Sequence, residues 1–474
     1  MDPYDARSDL DEVIRLVAAE AQRYLAGLDA RPAREPGADD HLAAFKGSLP
    51  DEGEGTLAPL RDLLTEGIDA ATHSAGPRFF HFVIGGVTPA ALGADWITSV
   101  LDQNAGLWDA SALGSHLEVL VTKWLLDLFD LPPDWGGALT KSATLANFAA
   151  LGCAREWWAE RHGANLAENG FAGLPPVPVL SSGYVHASAR KALAMLGIGR
   201  ARVQTFAADG TGCADLERLE RELRALDGEP AIIIGNAGEV NAGDFDPLDA
   251  MADLTERYDA WLHVDGAFGL FARLAPETKP LTAGVERAHS VIADGHKWLN
   301  VPYDCGMAFL RDPSWLPKVY SLSGAAYLPK PDDPHPNYAF LMPDSSRRAR
   351  AIAVYATLRA YGRAGYRAMV ERHIGLAKRL GARVDAEPDL ELLAPVKTNI
   401  VCFRYRPAGV PEDALDDLNT RLGRAVLDDG RVFVGTTTYD GRVAFRPAIV
   451  NYRTTDQHVD ELADVILELG ARAV

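Results

Sequence analysis

The chain has 474 residues, with 47 Lys and Arg against 66 Asp and Glu, a net charge of −19 and 47% hydrophobic residues. That acidity argues against binding a phosphate backbone, so nucleic acid is not an expected partner, and a mean hydropathy of −0.08 with no apolar run of bilayer length argues against a membrane span. The four cysteines, Cys153, Cys213, Cys305 and Cys402, lie far apart without a CxxC pair, which disfavours structural zinc or a disulfide framework and suits a reducing cytoplasm.

Met1-Asp2-Pro3-Tyr4-Asp5 lacks the basic start and apolar core of a secretory signal, so a cytoplasmic, unanchored protein is expected. Leu10 to Leu28 has helical spacing (Val13, Leu16, Val17, Tyr24, Leu25), and Arg31 to Asp40 is a Pro/Gly/charged break. Residues 1–85 therefore read as an N-terminal helical extension. Strand-like runs at 177–180, 202–206, 231–235, 260–264, 289–292 and 305–310 alternate with helical stretches, which predicts a large α/β domain over 86–365 built on a mostly parallel sheet. From 366 the pattern changes to a strand (Asn399 to Tyr405), a helix (Asp413 to Leu427), a hairpin (Val432 to Val450, turning near Asp440-Gly441) and a closing helix capped at Thr454-Thr455-Asp456. This is a small α+β C-terminal domain. No tandem repeat appears.

Two short runs carry the chemistry. His263-Val264-Asp265-Gly266-Ala267 ends an apolar stretch, which sets Asp265 at the carboxyl end of a buried strand, where α/β sheets keep their ligands. Asp294-Gly295-His296-Lys297-Trp298 follows the strand-like His289 to Ala293, so Lys297 falls on a neighbouring loop of the same sheet edge. An aldehyde cofactor with a basic ring nitrogen uses both groups: the amine forms a Schiff base and the carboxylate holds the ring nitrogen protonated. Pyridoxal phosphate (PLP) is such a cofactor.

Two further segments point to the same edge. Ser181-Ser182-Gly183-Tyr184-Val185-His186 leads from the strand Val177 to Leu180 into a helix, and His186 at its start is placed either to lie on a pyridine ring or to serve as a cap. Leu139 to Asn147 passes from a short apolar run into a helix whose first turn, with Ser142, Ala143 and Thr144, offers N–H groups to an anion; ordinary N-capping uses the same residue types. His116-Leu117-Glu118 has H-x-E letters but no downstream Pro-Cys-x-x-Cys, and reads as a helix face. Neither GxSxG, Walker A nor GxGxxG is present.

In order and spacing these motifs, above all Asp-Gly-His-Lys-Trp-Leu-Asn-Val-Pro-Tyr, resemble the group II PLP-dependent amino-acid decarboxylases, the family of aromatic amino-acid and glutamate decarboxylases. The resemblance runs from about Arg78 to the C-terminus. It implies fold type I, a PLP-dependent transferase-like architecture, and a homodimer with shared active sites. It implies that Ala143 and Thr144 hold the phosphate, His186 stacks on the ring, Asp265 pairs with the pyridine nitrogen, Ala267 is the small residue under the ring, His296 lies near the phosphate and Lys297 is the Schiff-base lysine. Lys141-Ser142 and Leu145 depart from the usual family letters in the phosphate cup. Asn241 matches a position that braces the cofactor's oxygen-bearing face, though an Asx turn suits it equally.

The resemblance also implies a mobile loop over Ala325 to Ser346 that carries a Tyr returning a proton to the substrate carbon; Tyr338 is the first candidate and Tyr327 the reserve, with packing as the alternative for Tyr338. Arg347-Arg348-Ala349-Arg350 then reads as a solvated helix start. Phe79, Phe80, Phe82 and Trp108 fall in segments that line the family's side-chain pocket, with Phe82 and Trp108 taken as substrate-binding; Arg446 aligns with an Arg that meets substrate carboxylate in some members, a structural ion pair being its alternative. The expected activity is α-decarboxylation of an L-amino acid, with a lean to aromatic or other apolar side chains. An aldehyde synthase, an aminotransferase or a non-catalytic PLP-binding module are the rivals on the same architecture.

Overall fold

The computed structural model describes residues 2–208, 211–322, 328–329 and 333–473. It forms two compact units, one of Met1–Gly86, Leu376–Pro395 and Val401–Val474, the other of Val87–Gly375 and Val396–Ile400.

The second unit is built on seven strands: β1 (Gly136–Thr140), β2 (Val179–Ser181), β3 (Val203–Thr205), β4 (Ala231–Asn236), β5 (Ala260–Asp265), β6 (Ser290–Asp294) and β7 (Gly306–Leu310). Their order is β1-β7-β6-β5-β4-β2-β3. From β6 to β3 every pairing is parallel, whereas β7 runs antiparallel to both β6 and β1. Strands β4 (AIIIGN) and β5 (AWLHVD) are buried along their whole length, as expected for central strands covered on both faces. Ala143–Arg161, the helix after β1, buries thirteen residues on several sides; its small side chains let it lie close against β6 and β7. Gly306 makes this approach possible, because a Cβ there would meet the Ser142 main chain at 2.5 Å. The parallel register of β4, β5 and β6 aligns their carboxyl ends, with Asn236 opposite Asp265. One edge therefore gathers Asn236, Asp265 and Asp294.

The first unit has a four-stranded antiparallel sheet, β10-β11-β9-β8, from β8 (Leu390–Leu392), β9 (Phe403–Tyr405), β10 (Thr436–Tyr439) and β11 (Arg442–Phe445). The β10–β11 turn is at Asp440 and Gly441, both with positive φ. Leu415–Asp429 and Asp456–Ala473 are its helices. Main-chain bonds Phe80 N to Phe433 O (2.8 Å), Phe433 N to Arg78 O (3.0 Å) and Ala448 N to Phe80 O (2.9 Å) stitch the N-terminal segment to the C-terminal one. Segments that read as separate bodies in the sequence thus share one compact unit. The strands β1 and β8 are additions to the sequence reading.

His263 on β5 is fully buried and His289 just before β6 is half-buried against Trp157 and Trp261, and desolvation lowers each to about 4. A histidine whose folded pKa lies below its unfolded value of about 6.5 contributes stability that is complete above that pH and is lost as the pH falls through it towards 4. The melting temperature should therefore drop between pH 7 and pH 5 in scanning calorimetry. A melting temperature unchanged across that interval would show that neither ring is held neutral.

Candidate active site

Asp265 closes β5 with its carboxylate 6% exposed. Its Oδ1 accepts the Ala267 N–H at 3.2 Å and its Oδ2 accepts Asn147 Nδ2 at 3.0 Å. Ala267 passes the connection on, since its carbonyl accepts the Asp294 N–H at 2.8 Å while Gly266 N–H reaches Ile292 O at 3.0 Å. The turn after β5 is thereby fastened to the end of β6. Asp294 in turn gathers Lys297 and His296. Its Oδ2 lies 3.4 Å from both Lys297 Nζ and His296 Nε2. Burial alone would raise the Asp294 carboxyl, but Lys297 and His296, with the Ala143 N–H, outweigh it and hold it below the usual carboxylate range. His296 Nδ1 accepts the Cys305 N–H at 3.3 Å, so a neutral ring carries its proton on Nε2, facing Asp294. Its ring stacks on Tyr303 at 4.3 Å.

His186 caps the helix Ala187–Met195 by accepting the Ser188 N–H. Ser188 Oγ lies 2.7 Å from His186 Nδ1 and 3.3 Å from Asn147 Nδ2, which joins His186 to Asp265 through two side chains. The connection leading into His186 is held by Asp246, whose buried carboxyl accepts Ser182 Oγ (2.8 Å), Asn236 N (2.8 Å) and Ala214 N (3.0 Å) and is raised by burial to about 6. At the start of Ala143–Arg161, Ser142 Oγ takes the Leu145 N–H and Ser142 O the Ala146 N–H. Ser142 is the cap, and Ala143 and Thr144 supply the first-turn N–H groups beyond it.

Asn241 belongs to a turn wrapped round Glu239, whose carboxylate accepts the Asn241 N–H at 2.8 Å and the Ala242 N–H. Trp108 donates its main-chain N–H to Asn337 Oδ1 at 2.9 Å, and its ring stacks on His335 at 4.6 Å. Phe82 and Arg446 belong to the first unit, where Phe82 is 58% exposed while Phe79 and Phe80 are core residues, Phe79 stacking on Phe433 at 4.9 Å.

Two sequence expectations need correction. Tyr338 is 3% exposed in the cluster that includes Trp157, Trp158 and Met342, with the Arg347 guanidinium 5.0 Å from its ring; burial pushes its hydroxyl well above the usual range. A phenol sealed in the core packs, the alternative the sequence left open for Tyr338; the reserve candidate, Tyr327, lies outside the described residues. Nor is Arg347 to Arg350 a solvated helix start. Arg347 pairs with buried Glu118 at 2.8 Å and Arg350 with Asp304 at 2.6 Å, leaving Arg348 at the surface beside Asp95. Glu118 also accepts the Leu139 N–H at 2.9 Å. The Glu of the H-x-E letters therefore anchors the strand that leads into the helix Ala143–Arg161.

The residues of this edge suit PLP by their donor chemistry. A carboxylate is set in a buried strand end for a ring nitrogen, an amine 17% exposed has a carboxylate at 3.4 Å, and a helix start stands with His296 for a phosphate. Such a combination defines a PLP-dependent enzyme of the mostly parallel α/β type. Residues 40–406 match the pyridoxal-dependent decarboxylase conserved domain, and the chain belongs to that family. It is 31% identical over 430 residues to an L-2,4-diaminobutyrate decarboxylase of Rhizobium meliloti (89% of this chain, 83% of the relative) and 28% identical over 433 residues to an aromatic-L-amino-acid decarboxylase of Bacillus atrophaeus (90% and 87%). The crystal structure of Oryza sativa TDC with PLP and tryptamine has the same fold, with a TM-score of 0.90, 24% identity and 98% of each chain covered. The protein is a PLP-dependent amino-acid decarboxylase.

If Tyr338 packs, Tyr338→Phe should give the same amine yield as the parent protein, while Tyr338→Ala should lower stability by about 3 kcal/mol or more in urea unfolding. Loss of amine with appearance of aldehyde in Tyr338→Phe would restore the hydroxyl to the chemistry.

Proposed function

We propose that this decarboxylase acts on an L-amino acid with an aromatic or other apolar side chain, releasing the amine and carbon dioxide, and that Lys297, Asp265 and His186 are the residues touching the cofactor. The observation that carries the site assignment is the unbroken connection from Asp265 through Ala267 and Asp294 to Lys297. It sets a ring-nitrogen partner and an amine on adjacent strand ends. Bound there, PLP supplies an electron sink into which the bond to the departing carboxylate breaks. Asp265 keeps the proton on the ring nitrogen. Lys297 would hold the cofactor's aldehyde carbon, with Asp294 at 3.4 Å to position its Nζ. His186 and Ala267 would hold the ring between them, while the helix start at Ala143 and Thr144, with His296, would hold the phosphate. Asn241 braces the oxygen-bearing face through its turn. Tyr327 returns a proton to the α-carbon.

Trp108, in the same unit as the proposed cofactor residues, supplies aromatic surface for the substrate side chain. A cationic side chain is the second reading, favoured by the diaminobutyrate relative. The working form is a cytoplasmic homodimer. No helix among the described residues is long and apolar enough to cross a membrane, and the helix Pro89–Leu101 exposes Trp96, Ile97 and Val100, an apolar face of the kind that second copies cover.

Given a pooled amino-acid mixture, the purified protein should release carbon dioxide and aromatic amines. Carbon dioxide from 2,4-diaminobutyrate alone would install the second reading, and ammonia or a keto acid in place of amine would replace decarboxylation by one of its rivals. Borohydride reduction of the PLP-loaded protein followed by peptide mapping should find the adduct on Lys297; an adduct on another lysine would remove the site assignment.

A further inference from the structure

Behind Asp265 lies a file of buried side chains that the reaction does not touch. Trp261 Nε1 is 2.9 Å from Ser290 Oγ, Ser290 Oγ is 2.8 Å from His263 Nδ1, His263 Nε2 is 2.7 Å from Asn147 Oδ1, and Asn147 Nδ2 is 3.0 Å from Asp265 Oδ2. Trp261, Ser290, His263 and Asn147 are each at most 2% exposed, so water does not compete for these bonds. We propose that Asn147 and His263 are positioning residues: a one-way hydrogen-bond relay from Trp261 to Asp265 fixes the carboxylate as an acceptor aimed at the ring nitrogen, and a branch through Ser188 sets the proton position of His186. The proposal deepens the assignment of Asp265 and His186 made above and rests on it.

The direction of the relay follows from what each group is able to donate. An ionised carboxylate only accepts, so the Asn147 atom facing Asp265 is the amide nitrogen and the atom facing His263 is the oxygen. His263 Nε2 must then carry a hydrogen. The ring is neutral, since burial lowers it to about 4, so Nδ1 is bare and accepts the Ser290 hydroxyl hydrogen. Ser290 oxygen is left as an acceptor. It meets the Trp261 indole N–H, a group that is only ever a donor. The two ends of the file, one obligate donor and one obligate acceptor, therefore agree on a single polarity. A protonated Asp265, or a flipped Asn147 amide, would set two acceptors or two donors against each other somewhere in a dry interior, where each mismatch is costly.

The branch obeys the same logic. The second Asn147 amide hydrogen points to Ser188 Oγ at 3.3 Å, and Ser188 gives both its hydroxyl and its backbone N–H to His186 Nδ1, at 2.7 and 3.2 Å. His186, when neutral, therefore carries its hydrogen on Nε2. Asn147 is the junction that makes the ring-nitrogen partner and the ring-stacking histidine answer to one network.

Histidine-selective 15N NMR of the protein without cofactor tests the polarity directly, with the His263 signals assigned by their absence from His263→Gln. A bare Nδ1 and a protonated Nε2 on His263 are expected; the opposite tautomer would overturn the relay. In PLP-loaded protein, Asn147→Leu and His263→Leu should still give the borohydride adduct on Lys297, yet lose about 10- to 100-fold in kcat, the scale of one hydrogen bond to a charged group, with KM little changed and the acid limb of the kcat–pH profile moved to higher pH. His263→Gln, whose amide still donates to Asn147, should recover most of that loss. Parent-like kcat and pH profile in both Leu variants would reduce the file to packing. Absence of the Lys297 adduct in the parent protein would instead strike the cofactor assignment, a separate failure.

Discussion

A carboxylate at the end of a strand buried on both faces is costly unless donors are built around it, because desolvating an unpaired charge outweighs most single gains in folding. Asp265 meets that constraint with one main-chain and one side-chain N–H. Much of the second unit follows from it. The Ala267 donor requires the tight turn after β5, and that turn is pinned to β6 by Asp294 N and Ile292 O. The Asn147 donor requires the helix Ala143–Arg161 to lie against the sheet at one rotation, which in turn sets its first turn, Ala143 and Thr144, at the same edge. Parallel pairing of β5 with β6 then delivers the loop of His296 and Lys297 beside both.

The fold and the centre of the site are legible because they rest on local patterns. Continuous apolar runs announce β4, β5 and β6, and the residue closing each run, or the loop just past it, carries the chemistry. What the sequence hides is pairing at long range. Asn147 and Asp265 are 118 residues apart and Glu118 and Arg347 are 229 apart, and no local pattern links them. His263 was within reach, since residues two apart on a strand share a face and it stands two before Asp265. Asp294 opened the quoted motif, yet its part in gathering Lys297 and His296 emerges only with the fold. The basic letters at Arg347 to Arg350 suggested solvent, whereas a buried partner for Arg347 turns the same charge into an internal strut. Tyr338 shows the converse: spacing from a motif places a tyrosine in a segment, but burial decides what its hydroxyl does.

The same edge accounts for why the reaction class is clearer than the substrate. The residues proposed to touch the cofactor stand at strand ends and one helix start of the second unit, elements fixed by the sheet. Phe82 and Arg446, which the resemblance alone ties to the substrate, belong to the first unit, and Phe82 sits in a left-handed backbone conformation with φ of 56°, as does Val83 beside it.

The central claim is that Asp265 holds the cofactor's ring nitrogen protonated. Reconstituting the protein with PLP carrying 15N at the ring nitrogen and recording its NMR signal at neutral pH and above tests it most directly. A protonated nitrogen that becomes neutral in Asp265→Asn is the predicted result. A neutral nitrogen in the parent protein would contradict the account.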